Sequence, residues 1–188
     1  SGTFPGIPNS NFNDYSLLSG LGRINYSFKG RYLITGSIRA DGSSRFGAAN
    51  KWGYFPSGAI AWKVNEEAFW EDIRNVIGEF KLRSSWGVTG NTAVSPYQSL
   101  SVLSNVTAVF DQNLHVGFAP NFLQPNPLLK WETTTQFDVG LDLSFLKNKL
   151  QLTVDYYRKN TRDLLNSVPV SPSTGYSAMV KNLGNVQN

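Results

Sequence analysis

The sequence predicts an all-β chain of about seven long antiparallel strands. Three observations carry this expectation. Apolar and polar residues alternate with period two over unusually long runs, the connections between runs alternate short and long, and aromatic residues gather at both ends of the runs. Of the 188 residues only 16% are charged, against roughly 25% in a soluble domain, while 13% are aromatic. Disordered chains have the opposite balance, so disorder is excluded.

The elements follow in chain order. Alternation places strands at about 21–28, 31–41, 53–64 and 80–90, a long one at 131–145, another from Leu150 to Tyr157, and a last one starting near 181. In the strand at 80–90, Phe80, Leu82, Trp86 and Val88 oppose Lys81, Arg83, Ser85 and Thr89. Trp131 to Phe145 spans 15 residues, nearly three times the usual strand of about 5–6. It carries Phe137, Val139, Leu141 and Leu143 on one face and Gln136, Asp138, Gly140 and Asp142 on the other. The segment Leu146-Lys147-Asn148-Lys149 predicts a tight turn into the next strand, making a hairpin. A helical turn is expected around Glu66 to Ile73.

Connections at Lys29-Gly30, 65–79 and 146–149 fall at one end of the strands. The longer ones at 42–52, 91–130 and 164–180 fall at the other. Phe28, Tyr32, Trp62, Phe80 and Phe145 lie near the tight-turn end, and Trp52, Tyr54, Phe55, Trp131, Tyr156 and Tyr157 toward the opposite end. An outer-membrane barrel has this asymmetry and these aromatic belts. A soluble carbohydrate-binding β-sandwich with an aromatic core is the alternative, and strand length favours the barrel.

Ser1-Gly2-Thr3-Phe4-Pro5 has neither the basic nor the apolar stretch of a signal peptide. No run of about 18 apolar residues predicts a transmembrane helix, but a membrane-spanning β-strand needs only about 9–11 alternating residues. The absence of cysteine excludes disulfides, thiolate metal sites and a cysteine nucleophile. His115 is the single histidine, so multi-histidine metal sites are excluded as well. A net charge of +4, scattered along the chain, gives no argument for nucleic acid.

Several segments carry a family resemblance. Arg31-Tyr32-Leu33-Ile34-Thr35-Gly36-Ser37-Ile38-Arg39-Ala40-Asp41-Gly42-Ser43-Ser44-Arg45-Phe46-Gly47 is followed by Asn50-Lys51-Trp52-Gly53-Tyr54-Phe55-Pro56-Ser57. Leu82-Arg83-Ser84-Ser85-Trp86-Gly87-Val88-Thr89-Gly90-Asn91 comes next. Asn126-Pro127-Leu128-Leu129-Lys130-Trp131-Glu132-Thr133-Thr134-Thr135-Gln136 and Asp155-Tyr156-Tyr157-Arg158-Lys159 complete the set. Together they closely resemble the SusC/RagA family of TonB-dependent transporters of the Bacteroidetes outer membrane. The resemblance implies a 22-stranded antiparallel transmembrane β-barrel with an N-terminal plug, a TonB box and a SusD-like surface lipoprotein as partner. It further implies import of an oligosaccharide or peptide through outer-membrane lipid, energised by TonB acting on the plug. Seven strands cannot close such a barrel. The expectation is therefore that residues 1–188 form part of one barrel domain, within its C-terminal half.

The candidate site residues fall in two groups. Lys81, Arg83, Asp138, Asp142 and Asp155 are expected to share the polar face as a lumenal charge ladder, with Asp155 opposite Gly140. A glycosidase pair is disfavoured, because Asp138 and Asp142 lie about 13 Å apart along a strand and porin-like interiors are polar in any case. Phe46, Trp52 and Tyr54 are candidate substrate or mouth contacts, although an outer aromatic belt accounts for such rings better. Asp41-Gly42-Ser43-Ser44-Arg45 reads as a turn rather than an anion site. Asn105-Val106-Thr107 fits a glycosylation sequon, a pattern common by chance. No nucleophile–base pair, phosphate loop or metal cluster is present, so neither enzyme activity nor a cofactor is expected.

Overall fold

The computed structural model describes residues 12–188 apart from Gln112 and Lys147. The opening Ser1–Pro5 and the Lys147 position of the predicted turn lie outside the described residues. Among the described residues twelve strands form: β1 (Leu17–Phe28), β2 (Tyr32–Ser43), β3 (Trp52–Lys63), β4 (Ile77–Asn91), β5 (Leu103–Phe110), β6 (Asn113–Pro120), β7 (Leu123–Gln124), β8 (Glu132–Phe145), β9 (Leu150–Arg162), β10 (Leu165–Pro169), β11 (Ala178–Asn182) and β12 (Asn185–Gln187). Seven of them make one sheet in the order β1-β2-β3-β4-β8-β9-β12. Every pairing in it is antiparallel.

Local chemistry turns the chain where the sequence predicts. Lys29 and Gly30 both adopt positive φ (52° and 68°), as a tight hairpin turn requires, and Arg31 N–H closes it on the Phe28 carbonyl at 3.1 Å. Leu146 and Asn148 do the same between β8 and β9. The expected helical turn is a pair of 3₁₀ turns at Val64–Glu66 and Ala68–Trp70.

Directly opposed residues share a face, so the register sorts the side chains. One row reads Phe28, Tyr32, Trp62, Leu82, Leu141, Val154 across six strands. The adjacent row, on the other face, reads Ser27, Leu33, Ala61, Arg83, Gly140, Asp155. The first face carries no charged side chain until Arg158 and is widely exposed: Ile24 is 76% accessible, Ile60 59% and Val154 52%. A sandwich would cover that face with a second sheet; among the described residues nothing does. The accessible surface, 13472 Å², exceeds the roughly 9000 Å² of a globular protein of this mass. The soluble-sandwich alternative is therefore set aside.

The aromatic residues mark the band's limits. Phe28, Tyr32 and Trp62 share one row, whereas Phe80 on β4 and Phe145 on β8 lie two and four residues beyond it toward the turns. Four residues of drift over four inter-strand steps, at about 3.3 Å rise and 4.8 Å spacing, give a tilt of about 35°. That is the lower end of the range for transmembrane barrels. On β3 the band runs from Tyr54 to Trp62 and on β8 from Phe137 to Phe145. Each is about 26 Å of strand, or about 22 Å tall at that tilt, close to the ~25 Å band of outer-membrane barrels.

Four expectations need correction. Of Asp41-Gly42-Ser43-Ser44-Arg45 only Ser44 and Arg45 turn; Asp41-Gly42-Ser43 ends β2, because β1 offers ladder partners as far as Leu17 opposite Ser43 and a continuing ladder outcompetes a local turn. The 91–130 connection contains the hairpin β5–β6 and the short β7. The strand expected near 181 divides: β11 joins β10 and β7 in a separate three-stranded sheet, and β12 returns to pair with β9. Phe55, Trp131 and Tyr157 do not join an outward belt. Phe55 and Trp131 are buried, and Tyr157 opposes Asp138 on the polar face.

Replacing Leu141 by arginine, midway along the β8 band between Phe137 and Phe145, is expected to cost about 2–4 kcal/mol in a bilayer and to lower the membrane-inserted folded fraction. Heat-modifiable gel mobility of the full-length protein measures this, with Thr153→Arg on the opposite face as the tolerated comparison.

Candidate functional site

The polar face carries the charged cluster. Arg83 lies across Gly140, where an added Cβ would sit 2.5 Å from the guanidinium carbon, so only glycine leaves room for the arginine. From there Arg83 Nε donates to Asp142 at 3.2 Å and Nη2 to Asp155 at 2.5 Å. Lys81 reaches Asp142 at 4.0 Å, and Thr153 Oγ1 donates to the same carboxylate at 3.2 Å. Asp138 stands apart from this group, accepting from Ser85 Oγ at 3.2 Å and Gln136 Nε2 at 2.9 Å. Asp155 opposes Gly140, the register the tight β8–β9 turn predicts. All three carboxylates are engaged by cations, hydroxyls or an amide, an arrangement that suits a polar wall. Half-exposed ion pairs of this kind add little stability.

Between the charged residues the wall is small-sided. Ser37, Ser57 and Gly87 follow one another along a row, with Thr35, Ala59 and Ser85 in the next, and Arg23 and Gln136 close the first row on either side. Ser37 and Ser57 share a 2.7 Å hydroxyl contact.

At the long-loop end a compact core forms over this same face. Phe46, Phe55, Val94, Leu129, Trp131 and Val180 are buried together, with Phe46 and Phe55 rings 5.2 and 5.4 Å from Trp131. Gly53 and Gly90 make the cradle for Phe55, since a Cβ at either would strike its ring. Hydrogen bonds knit the surrounding loops: Arg45 Nη1 to the Thr92 carbonyl (3.0 Å), Asn50 Nδ2 to Leu128 (3.2 Å) and Asn126 Nδ2 to Val180 (2.8 Å). Asn182 donates to the Lys130 carbonyl at 2.7 Å and accepts from Lys130 N–H at 3.0 Å. From this knitted rim the β5–β6 hairpin extends, carrying His115 and Asn105.

The three candidate ring residues do not share a surface. Phe46, at 1% accessibility, is core. Trp52 lies over Gly42 and Tyr54 stands opposite Ala40, both on the apolar face. Sequence reasoning did not foresee the mouth core, because its members come from three loop segments and from strands β3 and β11, far apart in the chain.

At the tight-turn end, Glu67 accepts from Tyr32 Oη (2.7 Å), Trp62 Nε1 (3.1 Å) and Arg31 Nη1 (2.8 Å). The Tyr32 hydroxyl first, then the Trp62 indole, hold its carboxyl below the usual glutamate range; partial burial opposes them and the Arg31 charge assists.

A tilted antiparallel sheet with one apolar face, charged only at its long-loop end, one polar face and aromatic limits defines the wall of a transmembrane β-barrel. Residues 2–188 match the family model "TonB dependent receptor-like, beta-barrel", and the chain belongs to that family. It is 42% identical over 182 residues to a TonB-dependent receptor of Formosa agariphila, covering 96% of this chain and 18% of the relative. It is 41% identical over 179 residues to the TonB-dependent receptor SusC of Bacteroides thetaiotaomicron, covering 92% of this chain and 18% of SusC. Among solved structures, the RagAB peptide transporter superposes with a TM-score of 0.82 at 29% identity over 92% of this chain and 19% of that one. The SusC/RagA resemblance therefore holds, and the chain spans less than a fifth of the length of these relatives.

Two outcomes follow from the ends of the wall. Phe55→Ala should cost the mouth core about 3–5 kcal/mol, and hydrogen exchange in 44–51 and 126–131 should accelerate while the β8–β9 ladder stays protected. At the other end, a depressed carboxyl contributes stability that is present above the ordinary glutamate range and lost as pH falls through its lowered value. Amide protection in the 64–76 connection, taken relative to intrinsic exchange at each pH, should therefore fall on acidification, and Glu67→Gln should remove that acid-side step.

Proposed function

We propose that this chain forms part of the wall, inner lining and mouth of a TonB-dependent outer-membrane importer of oligosaccharides or peptides in a Bacteroidetes-like Gram-negative bacterium. The two-faced sheet carries the proposal: its apolar side suits lipid, and its Arg83-centred polar side suits a water-filled conduit. In this reading Lys81, Arg83, Asp138, Asp142 and Asp155 line the lumen, and Trp52 and Tyr54 belong to the outer aromatic belt. Both sheet edges are open among the described residues, and bare edges are not tolerated in hydrocarbon. The missing neighbours are then further strands of the same polypeptide, which also carries the plug that couples to TonB. The similarity to SusC and RagAB supports a surface lipoprotein as partner, with the knitted rim and the β5–β6 hairpin as its nearest elements.

Uptake by the full-length protein tests this. Cells carrying it are expected to import a fluorescent oligosaccharide or peptide in a manner that stops when the proton gradient is collapsed, while surface binding continues. Uptake that survives loss of the gradient would overturn the proposal.

A further inference from the structure

We infer that the connection 64–76 is a membrane-surface segment, laying Phe69, Ile73 and Val76 into the headgroup–acyl boundary of the leaflet at the tight-turn end. The inference rests on the barrel reading and extends it beyond the strands. Helix-like hydrogen bonds run through the segment: Trp70 N–H to Glu67 O (3.1 Å), Ile73 and Arg74 N–H to Trp70 O (both 3.1 Å), and Ile77 N–H to Ile73 O (2.9 Å). On such a backbone positions 69, 73 and 76 fall on one side, the spacing of an amphipathic stripe. These three residues are 66%, 42% and 60% accessible and meet no covering element among the described residues.

Continuity with the apolar face decides the occupant. The segment is fastened to the tight-turn aromatic belt at two points, both on outward-facing side chains. Glu67 takes the polar tips of Tyr32 and Trp62, and the Trp70 ring packs 5.0 Å from Phe80. The apolar stripe thus continues the surface that the lipid-facing strands present, at the level where amphipathic segments sit in a bilayer. Charge narrows the lipid. Glu66, Glu71 and Asp72 are exposed, and Arg74 is occupied by the Asn65 carbonyl (2.6 Å) and Glu66 (3.8 Å). An acidic segment of this kind favours zwitterionic over anionic headgroups. Glu67 is the positioning residue, holding the segment against the belt.

The chain contains no cysteine, which makes spin labelling direct. Ile73→Cys, Glu71→Cys and Leu143→Cys are labelled with a nitroxide in the full-length protein, cleared of other cysteines, in phosphatidylcholine vesicles. Collisions are measured with oxygen, which concentrates in lipid, and with a water-soluble nickel chelate. The oxygen-to-nickel ratio at 73 is expected to be several-fold above that at 71 and to approach that at 143. Equal, water-like ratios at 73 and 71, with a lipid-like ratio at 143, would overturn the inference and leave the barrel intact. A water-like ratio at all three would remove the barrel reading and this inference with it.

Discussion

Hydrocarbon offers no hydrogen bonds, so every backbone N–H and C=O that crosses it must find its partner within the protein. The long ladders of this sheet answer that constraint. From Phe28 opposite Tyr32 to Phe145 opposite Leu150 the ladders run through the apolar band, with one register shift near Ile77 at the turn end, although β3 and β4 pair only from Ser57 opposite Gly87 to Lys63 opposite Lys81. Side chains are then free to be sorted purely by face. Apolar residues dominate one face, and the other carries serine, threonine, glycine and most of the charged side chains.

The same constraint explains where the structure becomes irregular. Non-sheet backbone appears only beyond the aromatic limits. At the tight-turn end it is the short 64–76 connection, tied to the belt through Glu67 and Trp70. At the long-loop end, three loop segments meet Phe55 of β3 and Val180 of β11 around Trp131 and form the only sizeable buried cluster among the described residues. That cluster gives the rim the side-chain packing that the wall itself does not need. The wall is held by its ladders; the rim is held by side-chain packing, like a small soluble protein. Glycines serve both regions by allowing close approach, Gly140 beneath Arg83 and Gly90 beneath Phe55.

The polar face combines compensation with openness. Arg83 bridges two acids on neighbouring strands, which keeps charge on the wall without leaving any of the three groups unpaired. The floor beside it is built from side chains no larger than threonine over two rows of β2–β4. A wall so composed is wettable and smooth, and charge is confined to its borders.

Much of this was legible in the sequence, because a β-strand's two faces are a local property. Period-two alternation from Trp131 to Phe145 separates the leucines of one face from the aspartates of the other without any knowledge of neighbours. The tight turn at 146–149 then sets Asp155 opposite Gly140 by counting alone. What only the tertiary structure decided depends on partners distant in the chain. Asp41-Gly42-Ser43 extends β2 because β1 stands beside it. Phe46, Phe55 and Trp131 turn inward because loops separated by tens of residues converge on them, whereas Trp52 and Tyr54, their near neighbours in sequence, face outward. Residue type fixes that a ring will seek an apolar environment; which one it finds, lipid or mouth core, is settled by the elements that the fold brings beside it.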